Sequence, residues 1–559
     1  MANGSDRQAV PHGILPRAIH WFDRNVLDLG RQMRWSYVPP LMVYMAAGVS
    51  GLTGIVGTFF VKEYLGLSAE FLAALSFWAM LPWTLKMPLG HLVDLIWRHK
   101  AGLIYLGAGL IAASLMIMIG LLSDPAGMRE TLSAETWYVL AVLLAPAGYV
   151  IQDTVADAMT VEAVPRFDEQ GRARSEEDIR LSHTTMQTLG RVAIIGGTLL
   201  VAIANVYLFA GVESMGAAQK AAIYLQIYRL ALVIPLVSVL GVVMAALMRA
   251  SAARRLAAQG LEFDEIDRAL GLVVAEPTAP NPWILGGGAA FVLFSLAMGL
   301  SAFPFNEEVV FAGSLAIVLF LMRRLTLDLP DGARHSLYGT ALVIFAFRAM
   351  PSPGPGSSWW MIDVLGFDQQ FLAQLSLIAS SLTLVGMFLF RRFMAERPIT
   401  RIIVVLTIAS TVLFLPNIAM YYGFHHWTAA HTGGVVDARF IALVDTALES
   451  PLGQIAMIPM LAWIANSAPA QLKATYFAVM AAFTNLALAL AQLLTKHLNA
   501  LFTVSRELRD PVTGSVAAPA DYSELGALFI TVTVIGLLIP LLAVYLVERR
   551  MPVSESQAS

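Results

Sequence analysis

Apolar runs of roughly 20 residues recur along the whole 559-residue chain, and a run of that length crosses a bilayer as a helix. Charged residues make up only 13% of the chain, against about 25% in an average soluble protein. The formal net charge of −3 gives no footing for a nucleic-acid partner. The absence of cysteine excludes disulfides, thiol catalysis and thiolate metal sites. No cleavable signal peptide is visible, and the leader 1–37 runs directly into the first apolar run. The expected class is all-α: a polytopic membrane protein whose surroundings are a lipid bilayer.

Apolar runs and their breakers give about fourteen spans. Six lie near Val38–Phe60, Leu72–Asp94, Ala101–Leu122, Trp137–Glu162, His183–Phe209 and Ile223–Met248. Two follow near Trp283–Leu300 and Phe305–Met322. Six more lie near Ser336–Met350, Gln370–Arg392, Ile399–Tyr421, Arg439–Trp463, Leu472–Leu501 and Leu525–Val547. Loop charges orient them. With the N-terminus inside, Arg17, Arg24, Arg31, Arg34, Arg166, Arg172, Arg174, Arg249, Arg254, Arg255, Arg323, Arg324, Arg549 and Arg550 all fall on the cytoplasmic side, and the opposite loops hold few cations. This is the positive-inside bias. It predicts both termini in the cytoplasm of a bacterial inner membrane.

The stretch 65–76, LGLSAEFLAALS, repeats as 365–376, LGFDQQFLAQLS, with seven of twelve positions identical. Ser68 and Asp368 fall where helix N-caps belong. Both segments open a span running the same way, as in parallel repeats about an axis along the membrane normal. The expected organisation is a leader 1–37, a six-helix bundle 38–248, a cytoplasmic linker 249–282, an inserted hairpin 283–322, a second bundle 323–547 and a tail 548–559.

Residues 82–100, PWTLKMPLGHLVDLIWRHK, place Gly90, Asp94, Arg98 and Lys100 around the loop after span 2. This resembles the loop signature of the major facilitator superfamily, G-x-x-x-D followed by basic residues, although Leu95 and Trp97 depart from it. A small residue permits close packing there, and a carboxylate at a helix end can bridge to a neighbour, so these residues are read as a gate. Further stretches carry a narrower likeness: LPWTLKMPLGHLVD (81–94), QDTVADAMTVEAV (152–164), PSPGPGSSWWMIDVLGF (351–367) and the long run from Asp445 to Leu490. With these the chain resembles the folate–biopterin transporter family of the major facilitator superfamily. The resemblance implies two six-helix bundles and uptake of a folate or pterin, with protons as coupling partner. The extra Met87 and the inserted hairpin depart from the family pattern.

Ionisable residues inside a membrane are costly and face the bundle interior. Asp153 and Asp157, four apart, share one face of span 4, and Asp445 and Glu449 share one face of span 12. His183, Gln187 and Arg191 share a face of span 5, with Arg191 ~12 Å deep by helical rise, so an Arg191–carboxylate pair is expected. Lys86 lies ~12–15 Å into span 2, and Arg348 is expected near the outer end of span 9. Lys86, Gln187, Arg191 and Arg348 are the candidate substrate contacts. Asp153, Asp157, Asp445 and Glu449 are the candidate proton carriers or ion-pair members. The plainer alternative is fixed ion pairs holding helices in register.

Gly48, Gly51, Gly54 and Gly57 read as a close-packing stripe, and Trp359 and Trp360 as interfacial anchors. The expected function is secondary transport of a small organic solute by alternating access, with the halves rocking about a midplane site. Rival readings are a non-transporting membrane assembly factor of the same fold, or transport of an unrelated solute. No phosphate-loop motif and no catalytic or metal constellation is present, so neither a pump, an enzyme nor a cofactor is expected.

Overall fold

The computed structural model describes residues 23 and 27–550, apart from 66, 165–173, 263–264, 267–279, 302, 328–329, 391–392, 395–396, 453–454, 456, 458–459, 461–472 and 510–515. The chain is helical almost throughout. The first helices are α1 (Val38–Val49), α2 (Gly54–Tyr64), α3 (Ala69–Met80), α4 (Lys86–Leu95), α5 (Ala101–Ser123), α6 (Ala134–Ala163), α7 (Glu176–Leu208), α8 (Ala217–Ala231) and α9 (Val233–Ala258). An inserted pair follows, α10 (Pro282–Gly299) and α11 (Asn306–Leu325). The later helices are α12 (Asp331–Arg348), α13 (Pro355–Asp363), α14 (Gln369–Leu389), α15 (Ile399–Tyr421), α16 (Ala438–Glu449), α17 (Lys473–Leu501) and α18 (Leu525–Arg550). Between the last two, β1 (Leu508–Arg509) and β2 (Val516–Ala518) pair antiparallel.

Among the described residues, ten helices are long and apolar enough to cross a membrane. Physical breaks explain why this differs from the expected fourteen. Span 2 is interrupted by a 3-10 turn at Leu81–Leu85, which contains Pro82. The inserted helix α11 carries Glu307 and Glu308 at one end and Arg323 and Arg324 at the other. Helix α9 runs on to Ala258, so the expected linker begins as helix. Most of the leader and part of the linker, 263–264 and 267–279, lie outside the described residues, as do Arg166, Arg172 and part of the stretch from Asp445 to Leu490.

The repeat appears in the local geometry. Ser68 Oγ accepts from the Phe71 amide at 3.1 Å, and Asp368 Oδ1 accepts from the Phe371 amide at 2.8 Å. Each opens an equivalent helix, α3 or α14, by satisfying an amide that the first turn leaves unpaired. The helix before each cap is also broken in its middle. Ser50–Thr53 forms a 3-10 turn between α1 and α2, and 349–354 separates α12 from α13. The 300-residue offset of the repeat places Arg348 opposite Gly48 at this break.

Two positions are corrected by this break. Arg348 was expected at the outer end of its span, but the chain resumes as α13, so Arg348 stands at the mid-span break. Trp359 and Trp360 were expected at the membrane interface, yet they are 2% and 3% exposed and pack in the core. Prolines 351, 353 and 355 imitate a helix end because none of them offers a backbone N–H.

Helices α3 and α7 of the first set lie against α17 and α14 of the later set, so the two sets meet along two seams. The core at one end mixes both sets: Phe59, Phe60, Tyr224 and Tyr228 pack with Trp359 and Ala373. The inserted pair lies against α4, α3 and α17. Gly288 allows this, since a Cβ there would stand 2.6 Å from Pro88.

Candidate functional site

Lys86, at the start of α4 just past the 3-10 turn, reaches the two carboxylates of α6. Its Nζ is 2.6 Å from Asp153 Oδ2 and 2.8 Å from Asp157 Oδ2. Tyr44 of α1 donates to the other Asp157 oxygen at 2.5 Å. The four-residue spacing of the aspartates puts both on one helix face, where one ammonium serves both. The expected pairing of Arg191 with these carboxylates is therefore corrected: Lys86 occupies the position between them. Asp157 is the more open of the two, its side chain 40% exposed against 16% for Asp153.

Arg191 of α7 lies within electrostatic range of Asp153 and, across the seam between the two sets, of Arg348. Among the described residues neither arginine has a carboxylate within ion-pair distance. Arg348 donates from Nε to the Thr484 carbonyl at 3.1 Å, and its Nη1 faces the sulfurs of Met457 and Met460 at 3.4 and 3.6 Å. Thioethers are weak acceptors. The guanidinium charge is thus largely uncompensated.

Two cavities open on the other side of this charged layer, one turn along α6 from Asp153. The first, about 550 Å³, is lined among others by Gly54, Gly57, Tyr138, Tyr149, Tyr228 and Trp359. The second, about 450 Å³, shares Gly54, Thr58 and Ser358 with it and reaches Asn205 and Ser380. Both lie between the two helix sets, because α2 and α13 each contribute to both. The glycines of α1 and α2 divide accordingly. A Cβ on Gly48 would stand 2.1 Å from the Ile194 carbonyl oxygen, so this glycine permits the α1–α7 approach. Gly51 and Gly54 face open space and line the cavities instead.

The remaining candidates scatter. Gln187 is exposed and its amide reaches Thr160 Oγ1 at a long 3.4 Å. Asp445 is 8% exposed; one oxygen accepts from Asn417 Nδ2 at 2.8 Å and the other has no partner. Glu449 is exposed at the end of α16, and the side chain of His183 lies outside the described residues. In the loop after α4, Asp94 and Arg98 are exposed. A Cβ on Gly90 would meet Thr154 at an ordinary 4.0 Å. Lys100 is buried and pairs with Glu162 at 3.0 Å, which also meets Arg249 at 3.3 Å. This ties α5, α6 and α9 at one end.

Sequence reasoning missed Tyr44, Glu162 and the ion pair of Lys62 with Asp363, which stand 2.5 Å apart at the ends of α2 and α13. The repeat offered a signal for the last, since it sets opposite charges at the ends of equivalent helices.

Among the described residues, then, a mid-span cation with no carboxylate partner stands beside cavities between two related helix sets. Residues 293–558 match the BT1 family. The match bears out the resemblance read from the motifs, and with it a transporter of a small organic solute. A curated relative, a folate-biopterin transporter from Synechocystis sp., is 24% identical over 469 residues, covering 83% of this chain and 75% of the relative. Solved structures share the fold. A POT family transporter in complex with 5-aminolevulinic acid aligns with a TM-score of 0.59 at 13% identity, covering 94% of this chain and 97% of that one. An auto-inhibited POT family peptide transporter aligns at 0.54 and 14%, covering 92% and 96%. The major facilitator fold expected from the sequence is therefore the observed one.

Proposed function

We propose that this BT1-matching carrier moves a folate- or pteridine-like anion, coupled to protons, across a bacterial inner membrane with both its termini in the cytoplasm. The supporting observation is Arg348. A half-buried guanidinium held by one carbonyl and two thioethers lacks the anion that such a charge needs. A substrate carboxylate between Arg348 and Arg191 supplies it through charge-assisted, forked hydrogen bonds. The flat ring of the same solute then lies in the neighbouring cavity, against Tyr138, Tyr149, Tyr228 and Trp359. The Synechocystis relative's name agrees with this class of solute.

Lys86 is already shared by two aspartates, so its role in this scheme is to hold the ion cluster rather than to bind the substrate directly. Protonation of Asp157, the more open carboxylate, frees Lys86 from one partner and loosens α4 from α6. Asp445 is a second candidate carrier, because a proton removes the cost of its unpartnered buried oxygen. The gate residues Gly90, Asp94, Arg98 and Lys100 act at the opposite end from Lys62, where Lys100 holds Glu162.

Uptake of labelled folate, pterin and an unrelated dicarboxylate into proteoliposomes, with and without an inward proton gradient, tests the scheme. Gradient-stimulated uptake of folate or pterin that is lost in Arg348→Ala supports it. Equal uptake of all three anions, or uptake untouched by the substitution, refutes it.

A further inference from the structure

The ends of α2 and α13 that carry Lys62 and Asp363 are crossed by the chain leaving α17. Val504 sits on Gly356 of α13, where a Cβ would come within 2.5 Å of the valine side chain. Arg506, 6% exposed, donates from Nη1 to the Val61 carbonyl at 2.7 Å and also to that of Lys62. These belong to the last turn of α2, where the Val61 carbonyl otherwise accepts only a long 3.4 Å bond from the Leu65 amide. A cation there also meets the negative end of the helix dipole. The same guanidinium lies 5.8 Å from the ring centre of Trp359. Ser505 pairs with Asp521, and next to it Tyr522 donates to Asp363 Oδ2 at 2.5 Å. Val61 and Trp359 both line the 550 Å³ cavity, so this crossing lies over its mouth.

We propose that Arg506 is the latch of this mouth. It belongs to the later helix set but caps a helix of the first set, and it anchors the Trp359 ring on the way. The two sets therefore separate at this end only when Arg506 leaves the α2 carbonyls and Lys62 leaves Asp363. The mid-span breaks at Ser50–Thr53 and 349–354 are the joints about which α2 and α13 swing. The latch presupposes the alternating opening described above but is independent of which solute is carried.

The native chain contains no cysteine, so a single reporter needs no prior engineering. Ser358→Cys, which lines both cavities, is the reporter. A membrane-impermeant maleimide is added from the side that labels Tyr64→Cys, a half-exposed position beside Lys62. Adding Arg506→Ala removes both charged hydrogen bonds and is expected to speed labelling of the reporter at least about tenfold, the population shift that accompanies loss of even one of them. Lys62→Ala is expected to act in the same direction. An unchanged labelling rate in an Arg506→Ala protein that elutes as a single species overturns the latch. If Arg506→Ala does not accumulate in membranes, Arg506→Gln, which keeps one donor and loses the charge, is read by the same two outcomes. No solute is used, so failure here leaves the uptake result standing, and the reverse also holds.

Discussion

Lys86 and Asp153 meet at 2.6 Å in the middle of the first helix set, and the same ammonium holds Asp157 at 2.8 Å. Removing one member of such a group leaves an uncompensated buried charge, which costs about 3–5 kcal/mol. Lys86→Met is therefore expected to lower the melting temperature of the purified protein sharply. Adding Asp153→Asn to it should recover part of the loss. A double variant no more stable than Lys86→Met would mean that the pair carries no structural weight.

Arg348 offers the cleanest separation of binding from folding. Its neighbours are one carbonyl and two thioethers, so truncation strands no buried carboxylate. Arg348→Ala should fold normally and lose on the order of 10–100-fold in solute affinity, the range for one charged hydrogen-bonded contact. Arg348→Lys keeps the charge and loses the fork, and should fall between. Equilibrium binding of labelled solute in detergent reads both.

The glycines of the first span make opposite predictions. Gly48→Ala forces a methyl within 2.1 Å of the Ile194 carbonyl and should cost stability, because backbone cannot give way as a side chain does. A Cβ at Gly54 meets nothing within 4 Å, so Gly54→Leu extends into the cavity and should spare the melting temperature while stopping uptake. Parallel thermal and uptake assays distinguish the two effects.

The inserted pair is expected to be a structural tie. Glu307 of α11 accepts from Trp78 Nε1 of α3 at 3.2 Å and from Lys496 of α17 at 3.3 Å, so it touches both helix sets. Glu307→Ala strands Lys496 with Glu308 alone and should destabilise by about 1–3 kcal/mol. Gly288→Val, which collides with Pro88, should do the same from the other end, whereas Gly286→Ala should be silent. Melting curves of the three variants decide this.

Acid should loosen the turn beside the Arg506 latch. Asp521 accepts from the Ser523 amide at 2.9 Å and hydroxyl at 2.7 Å, and these bonds hold its carboxyl below the usual carboxylate range. A lowered folded value means that the contribution is complete above the ordinary value of 3.8 and is lost as pH falls below it. Reporter labelling at Ser358→Cys should thus be flat from pH 7 to 5 with respect to this group. Asp521→Asn should behave at neutral pH as the native chain does in acid.

The order of apolar runs, the caps at Ser68 and Asp368 and the duplicated stretch were legible without coordinates, because each is a local relation between residues a few positions apart. So was the list of intramembrane charges, since lipid makes every one of them an exception. Their partners were not. Lys86 and Arg191 lie at similar depths on different helices, and only helix rotation and packing put Lys86 between the aspartates. Arg348 was misplaced because three prolines look like a helix end, whereas tertiary contacts around Trp359 carry the helix on as α13. The sequence alone determined that the chain is a duplicated membrane helical bundle, since hydropathy and repetition are one-dimensional properties. Which charge meets which, and where the cavity and its latch lie, depends on residues hundreds of positions apart, and only the folded arrangement decided that.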